Sequence, residues 1–489
     1  MKDALLFMQN LEMKTYKAVE QSNVVRDLDE EISIGNYVLD LIHPDRAASI
    51  NVKLEFRTSP INHVFLCGTV VPGKEPFSLM VLHGNKYQAF VEGVKVGNIV
   101  LRKYDEKTGA VQGVFLGETV FGDRSVYADR ARFLIQNLRE IGGRQMVYED
   151  GSFNVGHYTF DDGKFEIQIS RNREFNLKMQ AWQDFGGAFW GYSGEVKKKG
   201  SSISFEEVNK VLKSFGSFLT MINGATISPL VVEGIARDGS QLLWRDFSAY
   251  ANSNAIFSNT HGLLQSKTYL NLNTTWQNFR KLETFPKDKS FLNSALKWYI
   301  EANSSTSLEA SIVISQTCLE LIYNWLVVEK RQMLAGKDAS NILAANKLRL
   351  LNSIIDFKID LRMLPALADG GFQKSRDKDI FNIIVGIRNA LVHGEETKRE
   401  SIESLLPHAL HQARELLLYM IEMALLFILG YEGRYCSRFL VPEVRAIAKY
   451  PVPWHRLYDK IMWNIETGKY DPDLAKAETD LLYGEGSHL

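Results

Sequence analysis

The stretch Ile380 to Gly394, Ile-Phe-Asn-Ile-Ile-Val-Gly-Ile-Arg-Asn-Ala-Leu-Val-His-Gly, leaves few structures open. Ile380, Ile384, Ile387 and Leu391 recur at helical spacing, and Phe381, Val385 and Val392 widen the apolar stripe. A second stripe at the same spacing is small or polar: Asn382, Gly386, Asn389 and His393. Arg388 stands on the flank of the apolar side, and Gly394 is where a left-handed cap residue would end the helix. The segment is therefore expected to be a core-forming helix with a guanidinium, an amide and an imidazole near its C-terminal end.

A charge on such a helix needs a reason, because burying it unpaired is costly. Chemistry on a phosphate supplies one. A guanidinium presents a planar fork of donors that matches phosphate oxygens, and an imidazole moves protons near neutral pH. Asn389, one turn before His393, can orient the ring or bind substrate, and Gly386 admits a close approach. These are the parts required for RNA cleavage without a metal, in which the ribose 2′-hydroxyl attacks its own phosphate and charge builds on the non-bridging oxygens. Residues five apart point roughly 140° apart on an ideal helix, so Arg388 and His393 do not face the same way. Either the helix end unwinds at Gly394, or the site is shared with a second copy of the chain; the shared site is preferred. The plainer reading of His393 is a histidine favoured by the C-terminal dipole of its helix. A similar pair, Arg57 and His63, has Pro60 between its members and reads as a loop.

The segment Arg388-Asn389-Ala390-Leu391-Val392-His393 resembles the Arg-Asn-x-x-x-His motif of HEPN-domain proteins. The likeness extends to Ser311–Ile322, which looks like that family's first core helix, with Glu320 as its acidic residue and as the group expected to hold Arg388. The layout, a long β-rich region followed by such a bundle, resembles the ApeA type of anti-phage defence protein. The resemblance implies helical bundles that pair face to face, Arg and His meeting across a homodimer, and RNase activity against host RNA, tRNA in particular, released by a phage-encoded trigger. It implies catalytic roles for Arg388, His393 and Asn389, supported by Glu320, Asn382 and Gly386, and products ending in a 2′,3′-cyclic phosphate and a 5′-hydroxyl. The competing class is a non-catalytic dimerisation or nucleotide-binding module with a sensing N-terminal half.

Composition sets bounds on these readings. A chain of 489 residues suggests two or three domains, and 45% hydrophobic content is ample for a core. A net charge of −1 gives no global field to attract RNA, so a local cleft must do so. Three scattered cysteines, Cys67, Cys318 and Cys436, argue against disulfides and zinc and fit a reducing cytoplasm. No cofactor and no metal site is expected; Asp161-Asp162 and Glu206-Glu207 are adjacent acids without a partner motif.

Along the chain, 30–125 reads as strands, 125–141 as a helix, and 144–175 as strands again. Lys197-Lys198-Lys199-Gly200 reads as a solvated loop, and Ser204 with Glu207 as a capping box opening a helix. Strands return at 230–235 and 241–247. From Pro286 the pattern is helical. The run Leu416–Leu429 contains Glu422 and is too short to span a membrane. The expected architecture is α+β and multidomain. Residues 1–285 form a β-rich sensing or scaffold region with a possible break near 195–204. Residues 286–440 form an all-α HEPN bundle, and 441–489 form an arm packing on it.

Overall fold

A computed structural model of the chain describes residues 15–19, 28, 30–44, 46–58, 61–71, 86–237, 239, 241–248, 262–264, 270–359, 361–369, 379–393, 400, 407–439, 450–467 and 474. Gly394, where the motif helix was expected to end, and residues 72–85 of the stretch expected to be strands lie outside the described residues.

Among the described residues, fourteen strands, mostly antiparallel, form one hydrogen-bonded system. β2 (Ile32–His43), β3 (Arg46–Arg57), β4 (His63–Val70), β5 (Lys86–Val91), β6 (Val94–Asp105) and β7 (Ala110–Gly122) come first, after a two-residue β1 (Tyr16–Lys17). β2 pairs with β3 and β5, β3 with β4, β4 with β7, β7 with β6, and β6 with β5. The circuit closes, so these six strands form a barrel without a free edge. Alternation along the strands fills its interior: Leu39, Leu41, Ile50, Val52, Leu54, Phe56, Leu66 and Ile99 are buried there.

β7 then leaves β6 and pairs through Val120–Gly122 with β14 (Leu242–Asp246). From β14 the sheet continues through β13 (Pro229–Ile235), β8 (Arg130–Gln136), β12 (Trp190–Lys198), β11 (Phe165–Arg171), β10 (Phe153–Asp161) and β9 (Arg144–Val147). β1 adds in parallel at the β9 edge, Tyr16 beside Met146. The helix expected over 125–141 is not formed. Ala131, Phe133 and Ile135 lie two apart, all buried, with β12 and β13 on either side. The helical spacing in this segment is incidental, and pairing with two distant strands decides the outcome.

Among the described residues of this region lie two helices, α1 (Phe175–Phe185) and α2 (Phe205–Asn223). α2 opens on the capping box: Ser204 Oγ accepts from Glu207 N at 3.2 Å, and Ser204 N donates to the Glu207 carboxylate at 3.3 Å. The neighbouring lysines are paired, Lys198 with Glu207 at 2.9 Å and Lys197 with Glu195 at 2.7 Å.

The remaining helices are α3 (Asn273–Glu283), α4 (Pro286–Ser304), α5 (Leu308–Tyr323, continued by a π-helical stretch Asn324–Lys330), α6 (Gly336–Ser340), α7 (Ala344–Ile355), α8 (Pro365–Asp369), α9 (Ile380–His393), α10 (Pro407–Ile428) and α11 (Tyr458–Thr467). They overturn the expected fold class, because no separate all-α HEPN bundle stands beside a β-rich region. A two-stranded sheet, β15 (Arg434–Tyr435) with β16 (Tyr450–Pro451), lies among them. Their core is also continuous with the sheet: one cluster runs from Phe133, Ile167 and Val196 through Phe215 and Trp276 to Leu319, Ile384 and Leu425. The physical reason is the apolar back of the sheet, which must be covered. α2 covers it, with Phe215 and Phe218 against Phe160 at 5.1 and 5.8 Å between ring centroids. Trp276 of α3 packs on the same two rings at 5.5 and 5.4 Å. Arg280 of α3 donates to Asp162 at 3.0 Å, which fastens the helices to the β10–β11 turn.

Among the described residues, one helical stretch, Leu308–Lys330, is long and apolar enough to cross a membrane; 61% of its most apolar window is buried inside the protein. The π-helical turns hold Trp325 flat on Phe291, 4.3 Å between centroids, while Asp288 accepts from Trp325 Nε1 at 3.1 Å. The described part of the C-terminal arm packs on α10, with Trp454 edge-on to Phe427 at 5.2 Å and donating to Tyr431 O at 2.8 Å.

Candidate functional site

α9 begins at a cap. Asp379 Oδ1 accepts from Phe381 N at 3.0 Å, and Arg349 of α7 forms an ion pair with the other carboxylate oxygen. The helix then buries Ile380, Phe381, Ile383, Ile384, Val385, Ile387 and Ala390 against α5 and α7. Asn382, Gly386, Arg388 and Asn389 are half-buried along its other side, and Val392 and His393 are exposed. Burial sorts the two stripes, apolar side inward, except at Val392, which was expected on the apolar stripe and is exposed.

The helix stays regular through His393, so Arg388 and His393 keep their separate directions within one chain. Arg388 Nη1 donates to Asn389 Oδ1 at 3.1 Å. Its Nε is buried and has no hydrogen-bond partner among the described residues. His393 also has none among the described residues. The structure thus joins Arg388 to Asn389 and leaves His393 apart.

Glu320 does not hold Arg388. Its carboxylate accepts from Lys347 Nζ at 3.2 Å, and that ammonium lies 5.6 Å from the Tyr323 ring centroid. Lys347 gives no signal in the sequence, because nothing local links positions 27 apart on different helices. The Asp379 cap has a visible one, an Asp directly before an apolar helical run.

α5, packed against α9, carries further buried polar atoms without a partner among the described residues: Ser315 Oγ, both amide atoms of Gln316, and Tyr323 Oη. Each such atom costs about 1–3 kcal/mol. Their concentration on α5, with Arg388 Nε on the adjoining helix, marks these two helices as a region where stability was not the only requirement. The other Arg–His pair lies elsewhere: Arg57 ends β3 on Glu55 and Glu31, and His63 opens β4.

Residues 123–258 match the family model described as the YopA central domain, and residues 286–447 match that of the YopA C-terminal domain. The chain is also similar to the SPbeta prophage-derived uncharacterized protein YopA of Bacillus subtilis (strain 168). The two are 24% identical over 388 residues, which cover 76% of this chain and 80% of the relative. No solved structure matches the chain. The first matched segment starts one residue after β7 ends, and the second starts at the first residue of α4.

Proposed function

We propose that the protein is a metal-independent endoribonuclease of the cytoplasm, working through a site that two copies of the chain share. Arg388 binds the scissile phosphate and stabilises the charge that develops on it. His393 exchanges a proton with the 2′-hydroxyl or with the leaving oxygen. Asn389 orients Arg388. The observation that carries the reading is the arrangement on α9: a guanidinium braced by its neighbour's amide, and an exposed imidazole further along that cannot reach the same point on one helix. An exposed Val392 beside His393 offers apolar surface for a second copy. The motif likeness to HEPN RNases of the ApeA type supports RNA, tRNA foremost, as substrate and a phage-encoded trigger as activator. A similar protein being prophage-derived supports a phage-linked role.

The test is cleavage of total RNA in EDTA by the purified protein, alone and with extract of phage-infected cells. The expected result is cleavage leaving 2′,3′-cyclic phosphates, lost in Arg388→Ala and in His393→Ala. Cleavage unchanged in either variant, or absent under both conditions, overturns the reading and favours a non-catalytic binding module.

A further inference from the structure

Where β7 parts from β6 to join β14, the mouth of the barrel is left open. A cleft of about 300 Å³ lies there, in the size range of small-molecule sites. The β5–β6 hairpin forms one wall with Val91, Val94 and Val96, β2 contributes Tyr37, β7 contributes Phe121, and β14 contributes Leu243 and Arg245. The hairpin tip is a tight turn with Glu92 and Gly93 both in the left-handed region, φ 49° and 80°, so this wall is a fixed one.

Tyr37 and Phe121 present a tilted aromatic pair, 4.9 Å between centroids. Arg245 is held in place beside them. Its Nη2 donates to Ile34 O and to Tyr37 Oη, both at 3.1 Å, and its guanidinium lies 5.4 Å from the Phe247 ring centroid. Its Nε and Nη1 make no hydrogen bond among the described residues. Glu233, opposite Arg245 in the β13–β14 register, makes no hydrogen bond to it, although the Arg245 charge partly offsets the rise in Glu233 pKa that burial causes. The cleft therefore combines ring-stacking walls with one positioned cation whose outer donors are uncommitted.

We propose that this barrel-mouth cleft binds a small planar ring bearing a single anionic group. The ring packs between Tyr37, Phe121 and the hairpin valines, and the anion accepts from Arg245 Nε and Nη1 in the forked manner a guanidinium favours. Arg245 is already fixed by two hydrogen bonds, so little side-chain freedom is lost on binding. Glu92 adds a negative charge to the lining, which favours a monoanion such as a carboxylate or sulfonate over a phosphate ester. The site is independent of α9 and of any nuclease activity.

The probe is 1-anilinonaphthalene-8-sulfonate, an aromatic monosulfonate with a planar naphthalene ring, titrated by fluorescence into the full chain. Saturable binding of one probe per chain is expected, weakened at least about tenfold by Arg245→Gln, which removes the forked charge-assisted pair. Val94→Trp replaces an exposed rim residue, fills the cleft and is expected to abolish binding while circular dichroism and melting stay as in the native chain. In competition, 2-naphthoate displaces the probe and adenosine monophosphate does not. Non-saturable binding, or binding unaffected by Val94→Trp, overturns the site. Displacement by the nucleotide but not by naphthoate overturns the monoanion assignment.

Discussion

Arg438 Nη2 lies 2.6 Å from Glu422 Oε1 at the centre of the helical half, both side chains almost wholly buried. The same guanidinium reaches Glu415 at 3.1 Å and Asn303 Oδ1 at 2.6 Å, and Tyr299 donates to Glu422 at 2.7 Å. This network explains how α10 tolerates an acid inside its most apolar run, and it fastens the segment after α10 to α4.

Removing the cation leaves the buried Glu422 carboxylate without its ion-pair partner, while Glu415 keeps Arg414 at 2.6 Å. Arg438→Met is expected to cost on the order of 3–5 kcal/mol, read by urea denaturation. Glu422→Gln is expected to cost clearly less. Burial already pushes that carboxyl pKa up, against the pull of Arg438, and an amide oxygen can still accept from Tyr299. Equal losses in the two variants would show that charge pairing is not what holds this contact.

Shared-site chemistry has a signature in mixed variants. Arg388→Ala and His393→Ala, each inactive alone, should regain roughly a quarter of the native cleavage rate when refolded together, since half the dimers are mixed and each holds one intact site. No recovery, with mixed dimers confirmed by mass, would place both groups in one chain.

His157 stacks on Tyr16 at 4.6 Å and places Nδ1 3.0 Å from Ser170 Oγ, which itself accepts from Val19 N at 3.0 Å. Burial, with a smaller contribution from Arg144, lowers its pKa to about 4. The unfolded chain, with an ordinary histidine pKa near 6.5, binds the proton more readily, so this contribution is complete above about pH 6.5 and is lost as pH falls toward 4. The loss reaches roughly 3 kcal/mol. His157→Asn should flatten the fall in stability between about pH 6.5 and pH 4 relative to the native chain; parallel curves would refute the assignment.

The capping box at Ser204 is partly exposed and local. Ser204→Ala should lower stability by about 1 kcal/mol with an unchanged denaturant slope. A loss near zero would mean that Glu207, paired with Lys198 and with Lys164 at 3.2 Å, fixes the start of α2 by itself.

Features encoded within a few residues are legible in the residue order alone. The period of α9, the Ser204–Glu207 box, the apolar run of α10 and the strand character of the barrel within 30–125 all follow from neighbours along the chain, where spacing and cap chemistry act directly. What depends on distant partners is not. β8 is a strand because β12 and β13 flank it, Glu320 pairs with Lys347 rather than Arg388, and the helices join the sheet's core instead of closing a bundle of their own. Local order settles which face of each segment is apolar. What that face is buried against is settled by the folded whole, because any apolar surface of the right shape satisfies burial and the choice among them is made over the entire chain at once.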